Sequence, residues 1–192
     1  MRLVHAALAT GLLLAAGCAP MPPPESVFLP PSAEGRGAGD PTRGAILASS
    51  YAFATPASLA GDPAAAAEAL AQLEYLTVEL GFGGAWRDMN PLVSTELRRA
   101  RAETRAALGF RQDASPQVAV NALYGASAAL RQGDRATAGT RLAGLAGPGG
   151  TEAALARLAA LPPLPRAASA TGLARDALTR RDSDQDDRMR VF

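Results

Sequence analysis

The chain has 192 residues, with 19 basic and 18 acidic side chains and a formal net charge of +1. That length suits one domain with its own core, and near-neutrality argues against nucleic-acid binding, which calls for a basic domain. Every basic residue is arginine, so Schiff-base chemistry, a phosphate-loop lysine and a lysine-activated serine are all excluded.

Arg2 is followed by an apolar run over residues 3–17, which ends in the small residues Ala15, Ala16 and Gly17 ahead of Cys18, the only cysteine. A run of about fifteen residues is short for a membrane-spanning helix, which needs roughly twenty. The stretch Leu14-Ala15-Ala16-Gly17-Cys18 resembles the lipobox of bacterial lipoprotein signals, with Ala15 where Leu is commoner. The resemblance implies a signal peptide over residues 1–17, a diacylglyceryl group on the Cys18 thiol, cleavage before Cys18, and acylation of the new amine by a palmitate-type chain. Two acyl chains anchor a protein stably. Ala19 stands where an Asp favours inner-membrane retention, so the resemblance points to an outer-membrane anchor facing the periplasm. Inner-membrane or cell-surface anchoring and an ordinary secretory signal stay open. Cleavage removes His5, the only histidine. No Ser-His-Asp triad, Cys-His pair or His/Cys zinc site then remains, and neither metal nor cofactor is expected.

Residues 18–40 read as a tether. Pro20, Pro22, Pro23, Pro24, Pro30 and Pro31 favour extended polyproline conformation, and Gly35, Gly37 and Gly39 loosen the chain. Val27, Phe28 and Leu29 form an apolar island within it, either incidental to a plain linker or able to dock on the domain or on a partner. From residue 40 one punctuation recurs. Asp40-Pro41, Asp62-Pro63, Asn90-Pro91 and Ser115-Pro116 each pair a capping side chain with a proline suited to the first helical position. Asp134 and Thr151 offer further caps. The expected helices cover about 41–57, 63–80, 91–109, 116–132, 135–146, 152–161 and 166–181, with alanine supporting helix throughout and no alternating strand pattern.

The fold class is therefore all-α, a bundle or short stack of about six helices behind a Pro-rich tether, with the helical domain over residues 41–181. The helix at 63–80 is expected to bury Leu70, Leu73, Leu76 and Leu80 and to turn Glu68, Gln72, Tyr75 and Glu79 outward. The helix at 91–109 buries Val93, Leu97, Ala100 and Leu108. Leu59-Ala60-Gly61-Asp62 and Leu130-Arg131-Gln132-Gly133-Asp134 both end in Gly-Asp, with Leu70 and Leu142, and Leu73 and Leu145, in equivalent places after the Asp. This resembles the hairpin unit of tetratricopeptide-like repeats, although their aromatic and proline positions are poorly matched.

Several residues stand out as candidate sites. Gly81-Phe82-Gly83-Gly84-Ala85-Trp86 carries the only Trp; Phe82 and Trp86 either grip a ligand or partner or fold back as core lids. Arg98, Arg101 and Arg105 are spaced to share one helical face, either a candidate anion-binding surface or a solvated face that pairs with carboxylates of other helices. Leu161-Pro162-Pro163-Leu164-Pro165 reads as a rigid connector. Asp182, Asp184 and Asp186 imitate the start of a calcium loop, but Asp187 occupies the place of the turn glycine and the twelfth position falls past Phe192. Residues 182–192 therefore read as a solvated, disordered charged tail. No catalytic residue emerges. The leading expectation is a lipid-anchored, non-catalytic module that binds another envelope protein. The alternatives are a glycan enzyme using Glu68, Glu74, Glu79 or Glu103, and a carrier with a cavity lined by Phe82 and Trp86.

Overall fold

Helix starts follow directly from the capping pairs. The computed structural model describes residues 25–34, 39–86 and 88–190. The helices α2 (Pro41–Ala54), α3 (Pro63–Phe82), α4 (Pro91–Leu108) and α5 (Pro116–Arg131) all open on proline, whose missing N–H costs nothing at the first turn. Asp40, Asp62, Asn90 and Ser115 accept hydrogen bonds from the N–H groups of Thr42, Ala65, Leu92 and Val118 at 2.8, 2.8, 2.9 and 3.3 Å. Asp134 does the same for α6 (Arg135–Leu142), accepting from Thr137 at 2.9 Å. A single turn, α1 (Pro31–Glu34), precedes these helices, and α7 (Gly150–Ala159) and α8 (Pro165–Arg190) follow them. Gly61 and Gly133 both adopt positive φ, +74° and +75°, but the two turns are bonded differently: Asp62 N–H donates to Leu59 O, and Asp134 N–H to Ala129 O. The helices that they start differ, at 20 and 8 residues. Leu70, Leu73, Leu142 and Leu145 are all buried.

The packing builds an antiparallel four-helix bundle with a three-helix insertion. α2 touches α3 and α8, and α4 touches α3 and α8, so α2 and α4 form one diagonal of the bundle and α3 and α8 the other. Directions follow from side-chain pairs. Thr42 of α2 meets Tyr75 in the second half of α3 (2.8 Å between hydroxyls), Arg43 meets Asp182 late in α8, and Glu103 late in α4 accepts from the N–H of Ala167 at the start of α8, 3.0 Å away. The chain therefore runs up, down and up through α2, α3 and α4, passes through α5–α7, and returns down α8. Helix α5 lies along α3, α6 packs on α5, and α7 packs on α3, α4 and α6.

That arrangement makes α3 the central helix, and here the outcome differs from the expected two-sided helix. Tyr75 is 7% exposed and Glu74 is 3% exposed, while Glu68, Gln72 and Glu79 are only partly covered. The side expected to face solvent is roofed by α5 and by the chain segment before α2. An isolated amphipathic pattern cannot report a second layer.

Helix ends differ for local reasons. α2 stops at Ala54 because Pro56 pushes Thr55 out of the helical region, to φ −125° and ψ 72°. α6 stops at Leu142 because residues 145–147 turn back onto residues 109–111. Arg111 N–H donates to Leu145 O at 2.9 Å and Gly147 N–H to Gly109 O at 2.9 Å, around an isolated bridge between Phe110 and Ala146. α8 runs on to Arg190 instead of ending at 181, so the described part of the charged run is helical. Its aspartates do not form a calcium loop. Among the described residues no helix is long and apolar enough to cross a membrane.

The apolar island docks. Val27 is 7% exposed and joins the core, with Leu29 and Ala33 packed against it. Glu25 takes two bonds from the Arg101 guanidinium, at 2.9 and 3.3 Å. The side-chain amide of Gln117 pairs with the Phe28 backbone in both directions: Phe28 N–H donates to Oε1 at 2.8 Å and Nε2 donates to Phe28 O at 3.0 Å. Residues 25–34 thus form a strap from α4, past the start of α5, to the start of α2. The proposed signal and Cys18 lie outside the described residues.

Candidate binding groove

Between Arg43 and Asp62 the chain carries no charge for eighteen residues. Its helical part, α2, presents Leu47 and Tyr51 outward, 48% and 64% exposed. Beyond α2 the chain turns through a 3-10 segment (Pro56–Ser58). There Phe53, Pro56 and Leu59 face Leu161, Pro162 and Leu164 of the α7–α8 connector across an apolar groove of about 310 Å³. The groove exists because two proline-stiffened connections, at 55–56 and 161–165, meet where α2 ends and α8 begins. Proline cannot continue either helix, and rigid kinks leave a furrow that side chains do not fill. None of the described residues lining it is titratable, so what they offer is apolar contact along a cleft open to solvent.

The candidate binding residues singled out from sequence lie away from this groove. Phe82 ends α3 with its ring 51% exposed. Trp86 is buried beneath Arg181, whose guanidinium carbon lies 4.4 Å from the ring centroid. Arg181 also donates to Ala85 O at 2.9 Å and stands 3.5 Å from Asp88, so Trp86 is a packing anchor between the 83–90 loop and α8. The two aromatics nevertheless border one small cleft of about 180 Å³, with Leu80, Met89 and Pro91.

The three arginines do not share a surface. Arg98 is exposed and donates to Thr95 Oγ1 at 3.2 Å. Arg101 is held by Glu25 of the strap. Arg105 is 3% exposed and turned inward. Its Nε and Nη2 meet both oxygens of buried Glu74 at 2.6 and 2.8 Å, and its Nη1 donates to the carbonyls of Gln112 and Ala114 at 2.9 and 2.8 Å. Helical spacing located the three side chains correctly around α4. It could not show that one side of that helix is closed by the 111–114 loop.

The carboxylates follow suit. Glu74 is committed to Arg105, Glu68 is ion-paired with Arg131, and Glu103 accepts from Ala167 N–H. Glu79 is partly buried, and burial, with the nearby Asp40 charge in second place, holds its carboxyl above the ordinary range. Among the described residues no cluster of three or more His, Cys, Asp or Glu could hold a metal ion. At the opposite end of α8, Asp88, Asn90, Arg181, Asp184 and Arg188 border a mixed-charge cleft of about 410 Å³.

The groove was not anticipated from sequence. Its signals were present as the charge-free eighteen residues and the Leu-Pro-Pro-Leu-Pro run, but they lie about a hundred residues apart and only the return of α8 joins them. Comparison with protein-family models, curated proteins and solved structures found no match to this chain.

Proposed function

We propose that this chain is a lipid-anchored, non-catalytic interaction module of the bacterial cell envelope, held by Cys18 in the outer membrane and facing the periplasm. The apolar groove between residues 52–60 and 161–164 carries the reading: it is open, the described residues lining it are not titratable, and α2, which leads to it, leaves Leu47 and Tyr51 exposed. Surfaces of this kind suit an apolar side chain or segment of a partner protein. The lipobox-like stretch supplies the location. The carrier alternative gains little from the cleft that Phe82 and Trp86 share, because its roughly 180 Å³ is small for a ligand pocket. The glycan-enzyme alternative gains little from carboxylates that are tied to Arg105, to Arg131 and to a helix start.

Site-specific photo-crosslinking in membranes tests this reading. Trp86 and Arg101 are poor probe positions because both are built into the fold, whereas Ala57 and Pro163 flank the groove and are exposed. The expected outcome is one envelope protein captured at both groove positions, absent at Thr179 on the exposed side of α8, and lost on Leu161→Asp. Capture of lipid alone, or equal capture at Thr179, overturns the adaptor reading.

A further inference from the structure

Helix α2 carries a knob and a hollow on its outward side. The knob is Tyr51, 64% exposed, with Leu47 exposed one turn before it. The hollow, of about 260 Å³, lies nearer the start of the same helix, where Gly44, Ala45 and Ala48 face Leu29 of the strap and Glu68 and Gln72 of α3. Gly44 helps to keep it open: a Cβ built there would meet nothing within 4 Å. Gly44 and Tyr51 are seven residues apart, so they share one side of the helix and stand about 10 Å apart along it. One rigid helix cannot bring its own knob into its own hollow.

A second copy of the chain can do so twice. We propose that α2 is a self-association surface, on which two copies pair antiparallel about a two-fold axis between Leu47 and Ala48. Tyr51 and Gly44 are equally far from that axis, so each Tyr51 meets the partner's Gly44 and its ring enters the partner's hollow. Such an interface is isologous, with the same contact made twice. Glu68 and Gln72 border the hollow with acceptor oxygens, which suits a phenol whose hydroxyl must be satisfied on burial. Gly44 and Ala48 are small enough to let the two backbones approach closely. Charge points to the same occupant. Residues 44–61 carry no charge, so this side of the helix meets its own copy with no like charges opposed. A helix of 14 residues is about 21 Å long, which keeps the contact below the roughly 800 Å² per copy of a standard interface. The dimer is therefore weak in dilute solution and forms where the chain is concentrated. It needs neither the lipid anchor nor the groove at the end of α2.

The experiment uses the full chain in intact cells, with a photo-crosslinking side chain at Leu47, beside the axis. The expected product is an adduct of twice the chain's mass, which mass spectrometry maps to α2 of both copies. A probe at Thr179, on the exposed side of α8, is expected to give none. Tyr51→Ala removes the knob and is expected to lower the adduct by about tenfold or more. Gly44→Leu fills the hollow and is expected to do the same. Its side chain has open space and favours helix over glycine, so the melting temperature is expected to stay level or rise, which separates lost pairing from lost folding. Leu161→Asp, placed in the groove, is expected to leave the adduct intact, so this inference and the adaptor reading fail separately. No adduct of twice the mass at Leu47, an adduct that survives Gly44→Leu, or capture of a different protein in its place overturns the self-association.

Discussion

Arg105 shows how far a single side chain can depart from its helical position in the sequence. Its guanidinium joins α3 to α4 through Glu74 and ties the 111–114 loop through backbone carbonyls, all within the core. A buried pair is weak evidence for added stability, but breaking one partner strands the other's charge. Glu74→Ala is therefore expected to cost about 3–5 kcal/mol, measured as the loss in unfolding free energy by urea titration. An unchanged titration midpoint would mean that Arg105 reaches water. Gly109 is a second such residue. It ends α4 at φ +69°, and a Cβ there would press into the Arg157 guanidinium, which donates to Leu108 O at 3.1 Å. Gly109→Ala is expected to lower stability by about 1–2 kcal/mol in the same assay. Neither clasp could be seen in sequence, since each joins residues tens of positions apart.

Helix starts, by contrast, were legible. A polar cap followed by proline marks a boundary through contacts made within three residues, so Asp40, Asp62, Asn90 and Ser115 identified four starts without knowledge of the fold. Asn90→Ala is expected to cost about 1 kcal/mol by thermal melting, with the bundle retained. Helix ends were less legible because tertiary ties set some of them. α8 continues past Arg181 into the charged run, and its Asp182 is gripped by Arg43 at 2.8 and 2.5 Å. The Arg43 hydrogen bond holds the Asp182 carboxyl below its ordinary range, so the contribution is present at neutral pH and is lost as pH falls through that depressed value. Both groups are partly exposed, which keeps the contribution below about 1 kcal/mol. Glu79 acts in the opposite sense: burial raises its folded-state pKa, so its contribution is full below the ordinary carboxylate range and is lost as pH rises through the raised value. Glu79→Gln is expected to remove that part of the pH dependence, read as a flatter profile of melting temperature from acid to neutral pH. A profile identical to that of the native chain would show that Glu79 is ordinarily solvated.

At the scale of the whole molecule, the strap makes the segment before α2 part of the domain. Val27→Ser is expected to destabilise the bundle by about 1–2 kcal/mol in urea, because the lost apolar burial belongs to the common core. A free tether would give no change. The sequence marked Val27, Phe28 and Leu29 as an apolar island that reads as incidental to a linker as readily as a docking segment, and the docking depends on Arg101 and Gln117, which lie on helices far along the chain. The groove is equally a property of the assembly. α2 and α8 meet because α5, α6 and α7 are set aside over α3, leaving α8 to close the bundle.

What the sequence determined by itself was local: an all-α chain, the proline-capped starts, the turns at Gly61 and Gly133, and the leucines that fill the core. These depend on backbone dihedrals and on side chains within one or two turns, which neighbouring residues control. The tertiary structure alone decided that α3 is enclosed, that Arg105 is internal while Arg98 stays in water, and that the strap is docked. It also made one groove of two distant proline-rich connections. Each of these requires surfaces separated by many residues to exclude water together, and no periodicity along the chain encodes which of its faces will meet.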